Sequence, residues 1–246
     1  MTEPATCRVT AGVQALILKE CHKALYVHCC AHSLNLAVQD ATRCVSLIRD
    51  VLGLVGDLNT VVRASAKRYA IFQAIKTSIS SDCTTSENAN RTSLRQLYPT
   101  RWTVRATSMQ SVVDNYVAIM NTLETIASND KSESGSKAAG LFKSFHRFST
   151  YFGLKLGVSV FERAEKLSRL LQSTHLPATD AKSAATSLIK SLRCSRQEQQ
   201  FETFWTSTLS EAKKLEIDDP VLPRRSRPSV CVDSGADGVT YECPAD

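Results

Sequence analysis

Apolar residues recur three or four positions apart along most of this chain, which is the spacing of one face of an α-helix. The longest series, 34–78, predicts either one long helix or two helices separated by a break near 43–46. Glycines 153 and 157 indicate a kink between two later series. The predicted helices cover residues 12–20, 34–78, 102–127, 137–151, 158–172 and 179–215.

Residues 24–29 show a different pattern. They form a short apolar run with a β-branched and an aromatic residue, which predicts a buried strand. The following Cys29-Cys-Ala-His-Ser33 predicts a tight turn, with Ser33 capping the next helix. Because an isolated strand is not stable without neighbours, we expect part of a domain to be missing from this chain. The sequence therefore predicts a mainly α fold with one strand–helix unit.

The composition is that of a globular intracellular protein. The chain has 246 residues, of which 43% are hydrophobic and 22% are charged, so it can bury a core in one or two domains. Its nine cysteines are scattered, and residues 1–11 lack an apolar core, so we expect reduced thiols and a nuclear or cytoplasmic location. No apolar run reaches the length of a membrane span, so no membrane partner is predicted.

The net charge of +6 is concentrated in one segment. Residues 59–105 contain eight basic side chains and two acidic ones, and the rest of the sequence balances to zero. Such clustering indicates a nucleic-acid footprint, although a solvated helix face gives the same pattern. The basic residues are Arg63, Lys67, Arg68, Lys76, Arg91, Arg95, Arg101 and Arg105.

The Cys29-x-x-His32 pair, with His28 and Cys30, carries donor atoms that suit zinc. No second Cys/His pair at metal spacing accompanies it, so no metal site and no cofactor are predicted. Thiol catalysis by Cys29 and His32 would need an orienting group and an oxyanion site, which the sequence does not indicate. The structural alternative is a buried thiol beside a histidine that caps a helix. No catalytic residue and no small-molecule substrate are predicted.

Trp102 stands between Arg101 and Arg105. Arginine binds phosphate with two parallel hydrogen bonds, and tryptophan can stack on an unpaired base, so this block is a candidate nucleic-acid site. The alternative is a tryptophan wedged into a helix junction and flanked by surface arginines. Both interpretations are open at this stage.

Three blocks of the sequence resemble hAT-family DNA transposases, and among them the transposon-derived proteins of the zinc finger MYM-type protein 1-like group. Their order in the chain is the order in that family, and the likeness runs from about 12 to 228. The blocks are Val27-His-Cys-x-Ala-His-x-Leu-Asn-Leu, Tyr98-Pro-Thr-Arg-Trp-Thr-Val-Arg105 and Asp219-Pro-Val-Leu-Pro-Arg-Arg225.

The resemblance implies a partial RNase H-like strand–helix unit followed by an α-helical insertion domain. It places an RNase H-like remnant at 12–45 and a helical insertion domain at 46–217. The lack of period predicts an irregular lead-in at 1–11, and the accumulation of Pro, Ser, Gly and Asp predicts a disordered tail at 218–246. Together with the charge pattern, the resemblance predicts a set of nucleic-acid-binding residues. These are His32, Arg101, Trp102, Arg105, Arg63 and Lys67.

The family cuts DNA with three carboxylates that hold two divalent metals. At the position of the second carboxylate this chain has Ala5-Thr-Cys-Arg-Val-Thr10, and the other two positions fall outside it. The prediction is therefore a protein without enzyme activity. It would bind DNA, other proteins or a second copy of itself; the alternative is a helical scaffold or a decaying transposon gene product with no DNA role.

Overall fold

The computed structural model describes residues 12–24, 29–82, 94, 104–173 and 177–221. These residues form ten α-helices and no strand, which confirms the prediction of a mainly α fold. The helices are α1 (Val13–Glu20), α2 (Cys30–Cys44), α3 (Ser46–Arg63), α4 (Ala66–Asp82), α5 (Arg105–Asp114), α6 (Tyr116–Asn129), α7 (Glu133–Phe145), α8 (Phe148–Leu171), α9 (Ala178–Ser195) and α10 (Glu198–Lys214).

Helix α8 is the centre of the fold. Helices α2, α3, α5, α7, α9 and α10 all pack against it, while α6 packs between α4 and α7. Apolar side chains at helical spacing on α3, α5, α6 and α8 meet in one core. Its largest fully buried members include Leu58, Phe72, Met109, Phe145 and Tyr151.

The predicted 34–78 helix consists of three helices. The break at Val45 lies where the sequence predicted it, and a second break at Ala64 and Ser65 was not predicted. At this second break the Nε of Arg68 donates a hydrogen bond to the Val61 carbonyl at 2.6 Å, which satisfies an acceptor in the last turn of α3. No glycine or proline marks the break, so the sequence lacks the usual signal.

Two other predicted helices are also divided. The 102–127 series breaks at Asn115, whose side-chain amide donates to the Ser111 carbonyl at 2.7 Å. The 179–215 series breaks at 196–197. In both cases the apolar period continues across the break, so the periodicity alone could not reveal it. Helix α7 begins four residues before the predicted position because the Ser132 hydroxyl caps it by accepting from the Ser134 amide.

The predicted interruption between helices 137–151 and 158–172 is wrong, because α8 runs through Gly153 and Gly157 without a break. The glycines instead allow neighbouring helices to approach. A Cβ atom at Gly153 would lie 2.7 Å from Cγ2 of Val51 on α3, and one at Gly157 would overlap the end of Met109 on α5. Close helix packing explains these two residues.

We expect Gly153→Ala to destabilise the fold, because the β-branched Val51 cannot move away without repacking. The clash should outweigh the helix-propensity gain and lower the free energy of unfolding by about 1 kcal/mol. Gly140 on α7 is the matched control, since nothing lies within 4 Å of a Cβ built there. Gly140→Ala should raise stability by about 0.5–1 kcal/mol in urea unfolding. Equal shifts in both variants would contradict this account of α8.

The predicted strand–helix unit at 24–29 has no support in the described residues. Residues 25–28 lie outside them, and α2 begins at Cys30 rather than after a turn ending at Ser33. Cys29 is the N-cap residue, and the Ser33 amide donates to its carbonyl at 3.0 Å, so the predicted cap at Ser33 is wrong. Helix α1 confirms the helix predicted at 12–20, but none of its residues is buried.

The segment after α10 folds back onto the bundle. Glu216 adopts a left-handed backbone conformation with φ of 54°, which reverses the chain, and Ile217 is buried. The Asp218 amide then donates to the His146 carbonyl at 3.0 Å, at the junction of α7 and α8. The predicted tail therefore starts from an anchored position, and residues 222–246 lie outside the described part.

Candidate nucleic-acid interface

His32 lies in the first turn of α2 and is exposed. Cys29 and Cys30 are exposed free thiols beside it, so the alternative prediction of a buried thiol at Cys29 is wrong. Among the described residues, no group of three or more His, Cys, Asp or Glu side chains comes together as a metal site. His32 is accessible to a ligand in solution, and the described residues form no metal site with it.

Arg63 ties the basic segment to the helical core. It is an exposed residue at the end of α3, and its guanidinium donates a hydrogen bond of 2.6 Å to the Leu94 carbonyl. The same guanidinium lies 5.7 Å from the centre of the Tyr69 ring, at the distance of a cation–π contact. Leu94 is only 1% exposed and belongs to the core. One residue of the segment between α4 and α5 is therefore fixed beside Arg63.

Lys67 and Arg68 follow immediately at the start of α4. Lys67 is exposed, and within the described residues it makes no hydrogen bond or ion pair. Both cations lie near Asp130, at the end of α6. Hydrogen bonds from Ser132 lower the pKa of the Asp130 carboxyl, and the positive charges of Arg68 and Lys67 lower it further. We call Arg63, Lys67, Arg68 and Leu94 the α3–α4 corner.

Arg105 is held in a different environment, at the first position of α5. Its guanidinium lies 5.7 Å from the centre of the Phe161 ring on α8, and Arg43 of α2 is also near. Burial lowers the pKa of the Arg105 guanidinium, and the negative charge of Glu165 partly offsets this effect. The structure thus places Arg105 against α2 and α8, whereas Arg63 contacts Leu94 and Tyr69. Arg101 and Trp102 lie outside the described residues.

Glu165 on α8 is a buried carboxylate that no sequence pattern singled out. It is 3% exposed, and its Oε1 accepts the Ala106 amide of α5 at 2.8 Å. It also accepts the Arg105 amide, so it satisfies two free amides in the first turn of α5 from outside that helix. Burial raises the pKa of the Glu165 carboxyl, and these hydrogen bonds and nearby arginines oppose that rise. Glu165 therefore positions the helix that follows the Trp102 block.

The net charge of the segments did not reveal a second set of basic side chains, on α9 and its C-cap residue Arg196. Lys182, Lys190, Arg193 and Arg196 are all exposed, yet their charges are balanced by acids elsewhere in the chain. The signal that could have revealed them is the spacing of charges around a single helix, rather than the net charge of a segment.

Two concave sites lie on other parts of the bundle. One, of about 560 Å³, contains Tyr151, Glu211 and Lys214, and Glu211 accepts hydrogen bonds of 2.9 Å from both Tyr151 and Lys155. Burial alone would raise the pKa of the Glu211 carboxyl, but these hydrogen bonds hold it below its ordinary value. The carboxylate is thus occupied in joining α8 to α10. The other site, of about 630 Å³, is lined mainly by Phe148, Phe152, Trp205 and the 218–221 segment.

No protein-family model and no solved structure matches this chain. In the described part of the chain, no helix combines the length and the apolar character that a membrane crossing requires.

Proposed function

We propose that this chain is a non-catalytic helical module, derived from a hAT transposase, that binds nucleic acid through the α3–α4 corner. The observation that carries the proposal is the hydrogen bond from Arg63 to the carbonyl of buried Leu94. Leu94 stands between Arg91 and Arg95 in the sequence. The bond therefore fixes Leu94 beside Arg63, and Arg91 and Arg95 are its near neighbours in the sequence.

Electrostatics supports the same surface. Lys67 is exposed and unpaired within the described residues, so a phosphate can approach it without breaking an existing ion pair. Arg63 and Arg68 already donate to main-chain carbonyls, and these bonds hold their guanidinium groups in place. Binding a phosphate therefore costs these two side chains little further conformational entropy. A basic surface of this kind attracts nucleic acid over long range and loses affinity as salt rises.

The transposase origin rests on the three sequence blocks, and the RNase H-like remnant at 12–45 stays a prediction on the same basis. In this proposal Arg101 and Trp102 extend the contact surface towards unpaired bases, and exposed His32 contributes at the start of α2. Arg105 acts mainly by supporting the start of α5, because its guanidinium already lies against Phe161 and Glu165. The location, nuclear or cytoplasmic, stays a prediction.

The test is the salt dependence of duplex binding by Lys67→Ala. We expect weaker binding and a plot of log affinity against log salt whose slope is smaller by about 0.9, the value for one lost phosphate contact. Lys143→Ala is the matched control, since Lys143 is an exposed lysine on α7. Thermal unfolding should be the same for both variants. An unchanged slope for Lys67→Ala, or an equal change for Lys143→Ala, would overturn the assignment of the corner.

A protein-interaction role is the second candidate, and helix α1 favours it. Val13, Leu16 and Ile17 form its apolar stripe and are 62%, 60% and 50% exposed. An exposed stripe of this kind often marks an association surface. Light scattering at several protein concentrations separates the two candidates: association that increases with concentration and disappears in Leu16→Glu, together with no binding to duplex, would favour the second.

A further inference from the structure

Helix α9 presents a one-sided basic surface. At about 100° per residue, Lys182, Lys190, Arg193 and Arg196 fall within an arc of about 120°. All four are exposed, and none of these side chains forms a hydrogen bond or an ion pair within the described residues. Asp180 is the single acidic residue of α9, and it projects from the opposite side of the helix by the same geometry. We call these four cations the α9 basic face.

The rest of α9 is arranged so that this face points away from the bundle. Its half-buried residues, among them Leu188 and Leu192, lie on another side of the helix, and α9 packs against α8. At its C-terminal end the Arg163 guanidinium of α8 donates to the Ser195 hydroxyl at 2.5 Å. The helix is therefore fixed at the end where Arg193 and Arg196 lie.

We propose that the α9 basic face is a second binding site, which takes the phosphate backbone of duplex nucleic acid. The inference rests on the proposed function and deepens it, because it assigns a separate surface of the molecule to the same class of ligand. The four cations extend over about 21 Å along the helix, from the rise of 1.5 Å per residue. That length corresponds to about six base pairs of duplex, so neighbouring phosphates are within reach of several cations at once.

The distribution of apolar residues on α9 favours nucleic acid over an anionic membrane surface. A helix that binds lipid needs a continuous apolar face to insert between the headgroups. On α9, Leu188 and Leu192 are half-buried in the protein, and Ile189, 50% exposed, is the single large apolar residue that falls within the arc of the basic face. The surface therefore offers charge without a lipid-inserting face.

The experiment uses the full chain and a 16-base-pair duplex. Lys190→Gln/Arg193→Gln removes two charges from the α9 basic face, and Lys143→Gln/Lys213→Gln removes two exposed charges from α7 and α10. For the α9 variant we expect a salt slope smaller by about 1.8. The loss of affinity between 50 and 200 mM salt should therefore be about twelve times smaller for this variant than for the parent chain. The control should keep the parent slope, and circular dichroism should show equal helicity in both variants.

The outcomes separate the two proposals. An α9 variant with the parent slope, alongside a reduced slope for Lys67→Ala, would overturn the α9 site and leave the α3–α4 corner standing. A reduced slope for the α9 variant alone would support α9 and refute the corner. No duplex binding by the parent chain would overturn both. The parent chain could also bind vesicles rich in phosphatidylserine. If the α9 variant lost this binding and kept duplex binding, the ligand of the α9 basic face would be a membrane surface rather than nucleic acid.

Discussion

Glu165→Ala should lower the free energy of unfolding by about 3 kcal/mol, since it leaves the buried Ala106 amide, and the neighbouring Arg105 amide, without this acceptor and opens a cavity between α5 and α8. For a chain of this size we expect the melting temperature to fall by roughly 6–12 °C. The loss should be local at first, because the free amides of Arg105 and Ala106 begin the helix that follows the Trp102 block. Hydrogen exchange should show faster exchange in α5 than in α6 or α7.

Glu165→Gln is the matched variant, because it keeps an acceptor oxygen and removes the charge. We expect it to cost less than 1 kcal/mol at neutral pH, which would show that the hydrogen bonds, rather than the charge, matter at this site. A loss equal to that of Glu165→Ala would contradict the capping role. So would an unchanged α5 exchange rate in the alanine variant.

The pH dependence of stability in the parent chain and in Glu165→Gln gives an independent check. Since burial raises the pKa of the Glu165 carboxyl, the folded chain binds its proton more tightly than the unfolded chain does. The resulting stabilisation is complete below the ordinary glutamate pKa and is lost as pH rises through the folded-state pKa. Glutamine has no such proton. Relative to the parent chain, Glu165→Gln should therefore gain stability as pH rises from about 4 to 7.

The sequence predicted the helical class because the apolar period of three to four residues is a local property that burial confirms at residues such as Val55, Leu58 and Leu123. It did not predict the breaks at Ala64, Asn115 and 196–197. At the first two of them side chains rather than glycine or proline supply a hydrogen bond near the helix end, from Arg68 to the Val61 carbonyl and from Asn115 to the Ser111 carbonyl. Such bonds depend on individual polar side chains near the break, which the apolar period does not reveal.

At the candidate site, too, some features could be predicted from the sequence and others could not. Exposure of Arg63 and Lys67 followed from the charge pattern, whereas the Arg63–Leu94 hydrogen bond joins residues 31 positions apart and has no local signal. Gly153 was predicted to mark a kink because glycine favours such breaks. In the structure it allows close contact between α8 and α3. The predicted block at Arg101 and Trp102 lies outside the described residues, so its part in binding stays a prediction.

Trp205→Ala should be as damaging as the loss of Glu165, with an expected cost of about 3 kcal/mol, the lower end for an aromatic truncation because the residue is only half-buried. Its ring lies edge-on to Phe148 at 5.1 Å and to Phe152 at 5.3 Å, and these contacts hold α10 on α8. The cavity that they line also receives the 218–221 segment. We expect a lower melting temperature and easier proteolytic cleavage near Ile217, whereas Trp205→Phe should retain most of the stability.

Trp205→Phe has a second use, because the chain contains only two tryptophans. In that variant all tryptophan fluorescence comes from Trp102. If bases stack on Trp102, adding a single-stranded oligonucleotide should quench this emission, with saturation at the measured dissociation constant and a weaker effect from blunt duplex. If Trp102 is instead wedged into a helix junction, its fluorescence should stay constant when the oligonucleotide is added and change only on unfolding. Saturable quenching in Trp205→Phe, absent when Trp102→Ala is added, would decide for base stacking.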